Sequence, residues 1–436
     1  MEALKKNGLM RRAALMAALF FVCIFIFTGL LVLSAKIPRD AIRTNMKESG
    51  KFLSEGKLFY PVISGVAPSE IDRYADAILL NIAWHLDPER PLSSAMWTSY
   101  YDQEGVEETK SFAKSVLEDI PANKQYMRYW HGSAVIVSFL HLFLNLKGIY
   151  ILNAFLILIL TVFLMWTLTG NKLPLPAAGI IISLISISVW FVPLSLEYTW
   201  TVLLMLVFSI AAVRAELREN FEAAPFIFLL SGMVTAYLDF LTAETLTLTV
   251  PLILIIYIRL YRLDHPVKEG RELFIGSVLS WGAGYIGAWG SKWVLAAMIT
   301  GEDILQYVGG HVEERLGDTY GLSPFTMLTG ALTKNLSCLF PFGYGTIGFL
   351  LGLALILFLS YILFVYRKDK GNEKAPGILI LTGLIPYVRF MALMNHSYIH
   401  YFFTFRAQAA MILALTLVFG ERTDLKRLIP RSLGWH

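Results

Sequence analysis

Apolar residues in this chain come in long runs separated by short polar segments, with one exception near the start. The first run is Leu15 to Ser34, and others begin near Tyr150, Leu175, Thr199, Pro225, Thr245, Leu273, Gly345, Ile378 and Ile399. A helix rises about 1.5 Å per residue, so about 20 apolar residues cross a hydrocarbon core of about 30 Å. The pattern therefore predicts an all-α membrane protein of about ten transmembrane helices, built as a single transmembrane domain over residues 1–436. The exception is the polar stretch 36–148, a large first loop between helices one and two. A second loop occupies 300–343.

One segment decides the topology. Ser133 to Leu146 is apolar but short, and counting it as a crossing would place Arg259, Arg262, Lys268 and Arg271 outside the cell. Cytoplasmic loops carry an excess of Lys and Arg, so the segment is read as an interfacial or re-entrant helix that does not cross. Lys5, Lys6, Arg11 and Arg12, together with the later loop containing Arg367, Lys368, Lys370 and Lys374, then lie in the cytoplasm with both termini. The first run is too long for a signal-peptide core and is expected to stay uncleaved. Both large loops face away from the cytoplasm, and the expected location is a bacterial plasma membrane.

Composition agrees. Of 436 residues, 56% are hydrophobic and 16% charged, with mean hydropathy +0.59, too little polar surface for a soluble globule of this size. A formal charge of +4 is too small for a nucleic-acid footprint. Two cysteines, Cys23 and Cys338, exclude a disulfide framework. No Walker or dinucleotide-binding glycine motif occurs, so neither ATP-driven transport nor a cytosolic nucleotide-sugar site is expected.

The candidate chemistry lies outside. Ile71 to Leu86 has apolar positions at helical spacing, with Ser69 as expected N-cap, Asp72 at the third helical position, and Asp72 and Asp76 sharing one face. This is read as a membrane-surface helix presenting two carboxylates beside a lipid-facing stripe. Arg128 and His131 close the first loop, while Tyr100 and Tyr101 are candidates for a sugar-stacking wall. Asp239 and Glu244 sit in the turn between helices five and six, Lys292 near the outer end of helix seven, and Arg406 inside helix ten. A charge at such depth is costly enough to need a partner or a task. His396 and His400 are four apart and face the same way; without a third ligand in register they are read first as hydrogen-bonding groups, with a divalent cation as the lesser alternative and no other cofactor expected. Asn335 and Asn395 match the glycosylation sequon, a pattern with a high chance rate.

This arrangement resembles the GT-C superfamily of polytopic membrane glycosyltransferases. The resemblance rests on the cytoplasmic N terminus, the large outer loop after helix one, the carboxylates in Asp72-Arg73-Tyr74-Ala75-Asp76 and basic residues at the outer ends of later helices. It implies an inverting enzyme that moves a sugar from a polyprenyl-phosphate carrier to a cell-surface glycan, lipid-linked glycan or protein. Asp72 is then the first candidate for the base that deprotonates the acceptor hydroxyl and Asp76 the second. Asp40, closer to helix one as in the family, remains a third. Arg406, Lys292, Arg128 and His400 would steady the departing phosphate. His131, Tyr100, Tyr101, Asp239, Glu244 and His396 would contact sugar or acceptor. The alternative is a transporter or flippase for lipid-linked sugars, although the single long loop lacks the repeated halves usual there.

Overall fold

The computed structural model describes residues 2–303, 306, 309, 321–368, 376–424 and 427. Lys370, Lys374 and residues 310–320 of the second loop lie outside the described residues. The structure is 76% helical and 3% strand, as an all-α chain should be.

Among the described residues, six helices are long and apolar enough to cross a membrane. They are Met10–Ala35 within α1 (Glu2–Ala35), α7 (Leu146–Gly170), α9 (Leu196–Leu217), Phe221–Leu238 ending in α10 (Ala224–Leu238), α14 (Gly345–Val365), and Tyr401–Arg422, which joins α17 (Tyr401–Thr404) to α18 (Ala409–Arg422). The other four predicted runs are helical but fall short of that standard. The helices α8 (Pro174–Ser186), α11 (Leu246–Tyr257) and α15 (Pro376–Ala392) are short, and α12 (Val267–Thr300) is long but less apolar. By length and composition alone, six helices among the described residues qualify as membrane crossings.

Polar contacts gather the basic segments at one end of the bundle. Arg12 pairs with Glu222 at 2.6 Å, Arg259 with Glu216, the Tyr257 hydroxyl donates to Glu421 at 2.6 Å, and Lys368 donates to the Glu421 carbonyl at 2.8 Å. The first loop covers the opposite end.

That loop is a folded layer with a core of its own. It holds α2 (Arg39–Ser54), the antiparallel strands β1 (Phe59–Pro61) and β2 (Glu70–Asp72), α3 (Arg73–Trp84), α4 (Pro91–Trp97), α5 (Glu108–Glu118) and α6 (Ser133–Leu140). In α2, Ile42, Met46 and Leu53 recur at helical spacing and are buried against Leu79, Leu80, Phe112 and Val116. Gly50 lets α2 approach α5: a Cβ there would sit 3.1 Å from the Ala113 Cα. The layer is anchored to the bundle where the Trp130 indole N–H donates to the Ala288 carbonyl of α12 at 2.6 Å. With eight residues, α6 spans about 12 Å and cannot cross, in line with its expected placement.

The structure corrects the reading of α3. Asp72 is its N-cap, not its third residue, and Ser69 belongs to a preceding turn. Nor is α3 a surface helix with a lipid-facing stripe. Residues from Asp76 to Trp84 are buried on every side, because the other helices of the loop wrap around it.

Candidate active site

A narrow cleft of about 70 Å³ opens at the loop-covered end, where the first loop meets the ends of the bundle helices. Its charged floor comes from two helix N termini. Strand pairing sets Asp72 opposite Phe59 and delivers it as the last strand residue, where its carboxylate accepts the Ala75 backbone N–H at 2.8 Å. Glu197 projects from the first turn of α9. Both are buried, at 3% and 6% exposure, and line the same cleft. Two carboxyls in one buried cleft do not both ionise readily, which favours one proton held between the pair. Burial pushes the Asp72 carboxyl up to about 6, against the lowering effect of the Ala75 N–H and of Glu197.

The walls are aromatic. Tyr74, Tyr126 and Tyr129 come from the first loop, Phe240 from the turn after α10, and Phe403 from α17. Three histidines complete them: His131, His396 on α16 (Met394–Ile399), and His400. His396 and His400 lie with ring centres 4.7 Å apart and planes tilted by 50°, and His400 lies nearly parallel to Phe403 at 5.1 Å. Among the described residues no cluster of three or more His, Cys, Asp or Glu side chains could hold a metal ion.

The other candidates lie around the cleft but do not line it. Asp76, one turn after Asp72, is fully enclosed: it accepts from the Tyr150 hydroxyl, from the Leu196 N–H at 2.9 Å and from the Ser195 hydroxyl at 3.3 Å. It pins the first loop to α7 and α9. Burial pushes its carboxyl up to about 7. Lys292 neither snorkels nor faces the cleft. Its ammonium donates to the Ala95 and Met96 carbonyls at 2.9 Å each, capping the last turn of α4, where the helix dipole favours a cation.

Arg406 donates to the Phe402 carbonyl at 3.0 Å and the Pro68 carbonyl at 3.2 Å, and its guanidinium lies 4.3 Å from the Tyr198 ring centre. Arg128, half-buried, stacks on the outer faces of Tyr126 and Tyr129 at 4.8 and 5.2 Å and donates to the Tyr126 hydroxyl at 2.7 Å. Tyr100 packs behind Tyr126, with ring centres 6.2 Å apart, and the Tyr101 backbone is held by Asn81. Asp239 accepts from Leu241 and Thr242 and so shapes its own turn. Asp40 is exposed and pairs with Arg43 at 3.0 Å. The sequon residue Asn335, on α13 (Pro324–Ser337), is buried and bonded to Ala331, Ser397 and Thr404, which leaves no room for a glycan.

Two charged residues of this region escaped the sequence reading. Glu197, in the first turn of α9, carried a signal of its own: an ionisable group at the edge of a membrane helix. Arg389 of α15 ties two turns at the loop-covered end together. It donates to Glu244 at 2.8 Å, to the Leu241 carbonyl at 2.6 Å, to the Ser397 hydroxyl at 3.0 Å and to His396 Nδ1 at 3.3 Å. Glu244, expected as a ligand contact, is thereby the partner of a buried ion pair. Comparison of the chain with protein-family models, with curated proteins and with solved structures finds no match.

Proposed function

We propose that this protein is a membrane glycosyltransferase of the GT-C type, taking a sugar from a polyprenyl-phosphate carrier at the loop-covered end of its bundle. The observation that carries this reading is the Asp72–Glu197 carboxyl pair on the floor of an aromatic-walled cleft. In the reaction an acceptor hydroxyl attacks the anomeric carbon as its proton passes to a carboxylate, and the bond to the phosphate oxygen breaks on the opposite face. Asp72 is the base: a carboxyl raised to about 6 by burial is charged at neutral pH and binds a proton more firmly than an exposed one. Glu197 takes part through the shared proton. Flat aromatic walls suit the apolar face of a sugar ring and limit the water that would compete as acceptor.

The leaving group is an anion and needs a cation or donors. Of the four expected phosphate ligands, His400 lines the cleft and Arg128 stacks on two of its tyrosines, and these two are assigned that role. Lys292 is not, since its ammonium is spent on backbone carbonyls, and Arg406 is not, since it does not line the cleft. The proposed topology has ten passes, with the end holding Arg12, Arg259 and Lys368 in the cytoplasm and the cleft outside.

Two experiments test this reading. The protein in proteoliposomes is given a panel of polyprenyl-phosphate sugars with hydroxylated acceptors, and release of free polyprenyl phosphate is measured. Passage of intact lipid-linked sugar across the bilayer without release would favour the flippase instead. A cysteine placed at Arg262 should resist an impermeant reagent in intact cells; labelling from outside would invert the topology.

A further inference from the structure

His131 is held more rigidly than any ligand contact needs to be. Its backbone sits in the left-handed region at φ +53°, a conformation costly for a residue with a side chain. Gly132 locks it there: its N–H donates to the Tyr237 carbonyl at 2.9 Å, and a Cβ at this position would fall 2.2 Å from the Tyr237 ring. The imidazole is wedged among Tyr126, Phe240 and Tyr129, with ring centres at 4.7, 5.1 and 6.0 Å. A ring so packed cannot turn over to exchange its two nitrogens.

Those nitrogens differ. Nε2 lies 3.0 Å from the Tyr126 carbonyl oxygen, which can only accept, so Nε2 carries the proton. Nδ1 is buried and has no hydrogen-bond partner among the described residues, although His131 lines the cleft. Burial, reinforced by the positive charges of Lys292 and Arg128, holds the imidazole well below its usual range, so it stays neutral. Nδ1 is then a bare lone pair, a buried acceptor of the kind that native structures rarely leave unsatisfied without a functional reason.

We propose that His131 Nδ1 accepts a hydrogen bond from one hydroxyl group of the bound sugar and so selects for a ligand that carries that hydroxyl. This rests on the proposed transferase reading and deepens it. A lone pair facing a phosphate oxygen would be repelled, so His131 itself takes a neutral, hydroxylated part of the substrate and leaves the phosphate to His400 and Arg128. A site built around an unpaired acceptor rejects an analogue lacking the matching hydroxyl far more strongly than an apolar pocket could.

The test uses full-length protein in nanodiscs and octyl hexopyranosides with their monodeoxy derivatives as probes. Binding is read from tryptophan fluorescence, since Trp289 stacks on Tyr129 at 5.9 Å. The wild type should lose about tenfold or more in affinity for one monodeoxy derivative. His131→Phe should erase that loss while keeping the discrimination at other ring positions, and His131→Asn, which retains an acceptor, should restore part of it. Equal discrimination in wild type and His131→Phe, or no binding of any glycoside, would overturn the proposal. A second readout needs no variant. The ¹⁵N resonance of His131 Nδ1 in histidine-labelled protein should be that of an unprotonated nitrogen and should move on saturation with glycoside; a protonated Nδ1 would equally sink the idea. Binding does not depend on transfer, so glycoside discrimination without polyprenyl phosphate release would sink the transferase reading and leave His131 as a hydroxyl reader.

Discussion

Asp72 and Asp76 belong to the same helix, one turn apart, and both are buried, yet they sit in different regions. Asp72 is on the floor of the cleft with one backbone bond and a second carboxyl facing it. Asp76 is in the layer behind, where three donors from two membrane helices close around it. Lys292 repeats the second pattern, its ammonium enclosed by carbonyls. His131 repeats the first, with one ring nitrogen bonded and the other not. Burial alone therefore does not mark a functional group here. What separates the regions is whether the protein's own donors and acceptors satisfy the group, because an unsatisfied buried polar atom costs free energy that a ligand can recover.

The largest effect expected from breaking this contrast is in the satisfied layer. Asp76→Ala strands the Tyr150 hydroxyl, the Leu196 N–H and the Ser195 hydroxyl, and should destabilise the fold by about 3 to 5 kcal/mol, read by thermal or denaturant unfolding in detergent. A loss below about 1 kcal/mol would mean that the clamp is dispensable. Lys292→Met, similar in volume, leaves the Ala95 and Met96 carbonyls without their donor and should cost about 1 to 3 kcal/mol, with turnover of the folded protein retained. A folded but inactive Lys292→Met would return the residue to the substrate.

A third effect follows from pH. Asp72 is raised from 3.8 to about 6, so the folded state holds this proton more tightly than the unfolded chain does. The stabilisation is full below the unfolded value and is lost as pH rises through about 6. Turnover runs the other way, rising to a plateau above about 6 as the base becomes charged. Asp72→Asn should flatten its share of the stability profile between these limits; an unchanged profile would contradict a proton held at that site. The smallest effect is expected at exposed Asp40, where Asp40→Asn removes only a surface pair with Arg43, worth at most about 1 kcal/mol, and should leave turnover unchanged.

The contrast also explains what the sequence could and could not reveal. Helix positions were legible because apolar runs must match the bilayer, and α6 was legible as non-crossing because basic residues outvoted it. Asp72 and the cleft histidines stood out as ionisable groups at an apolar boundary. The fate of Asp76 was not legible: helical spacing placed it beside Asp72, but whether Tyr150 and Leu196 would close over it depends on pairings far away along the chain. For Lys292 the same uncertainty concerned direction, since a long side chain can reach either water or a neighbouring helix end. Arg389 went unremarked for the opposite reason. Its partners Leu241, Glu244, His396 and Ser397 come together only when two turns at the loop-covered end meet.

The central claim, that the carboxyl pair lining the cleft and not the enclosed Asp76 carboxylate is the transfer site, is tested most directly by release of polyprenyl phosphate from a competent donor by Asp72→Asn and Asp76→Asn proteins in proteoliposomes, scaled to the folded fraction. Asparagine caps a helix as well as aspartate, so Asp72→Asn should fold normally and still lose about 10² to 10⁴ in turnover. Asp76→Asn should show reduced stability and, per folded molecule, near-normal turnover. Near-normal turnover in folded Asp72→Asn beside a folded but inactive Asp76→Asn would contradict the account and move the chemistry into the layer behind the cleft.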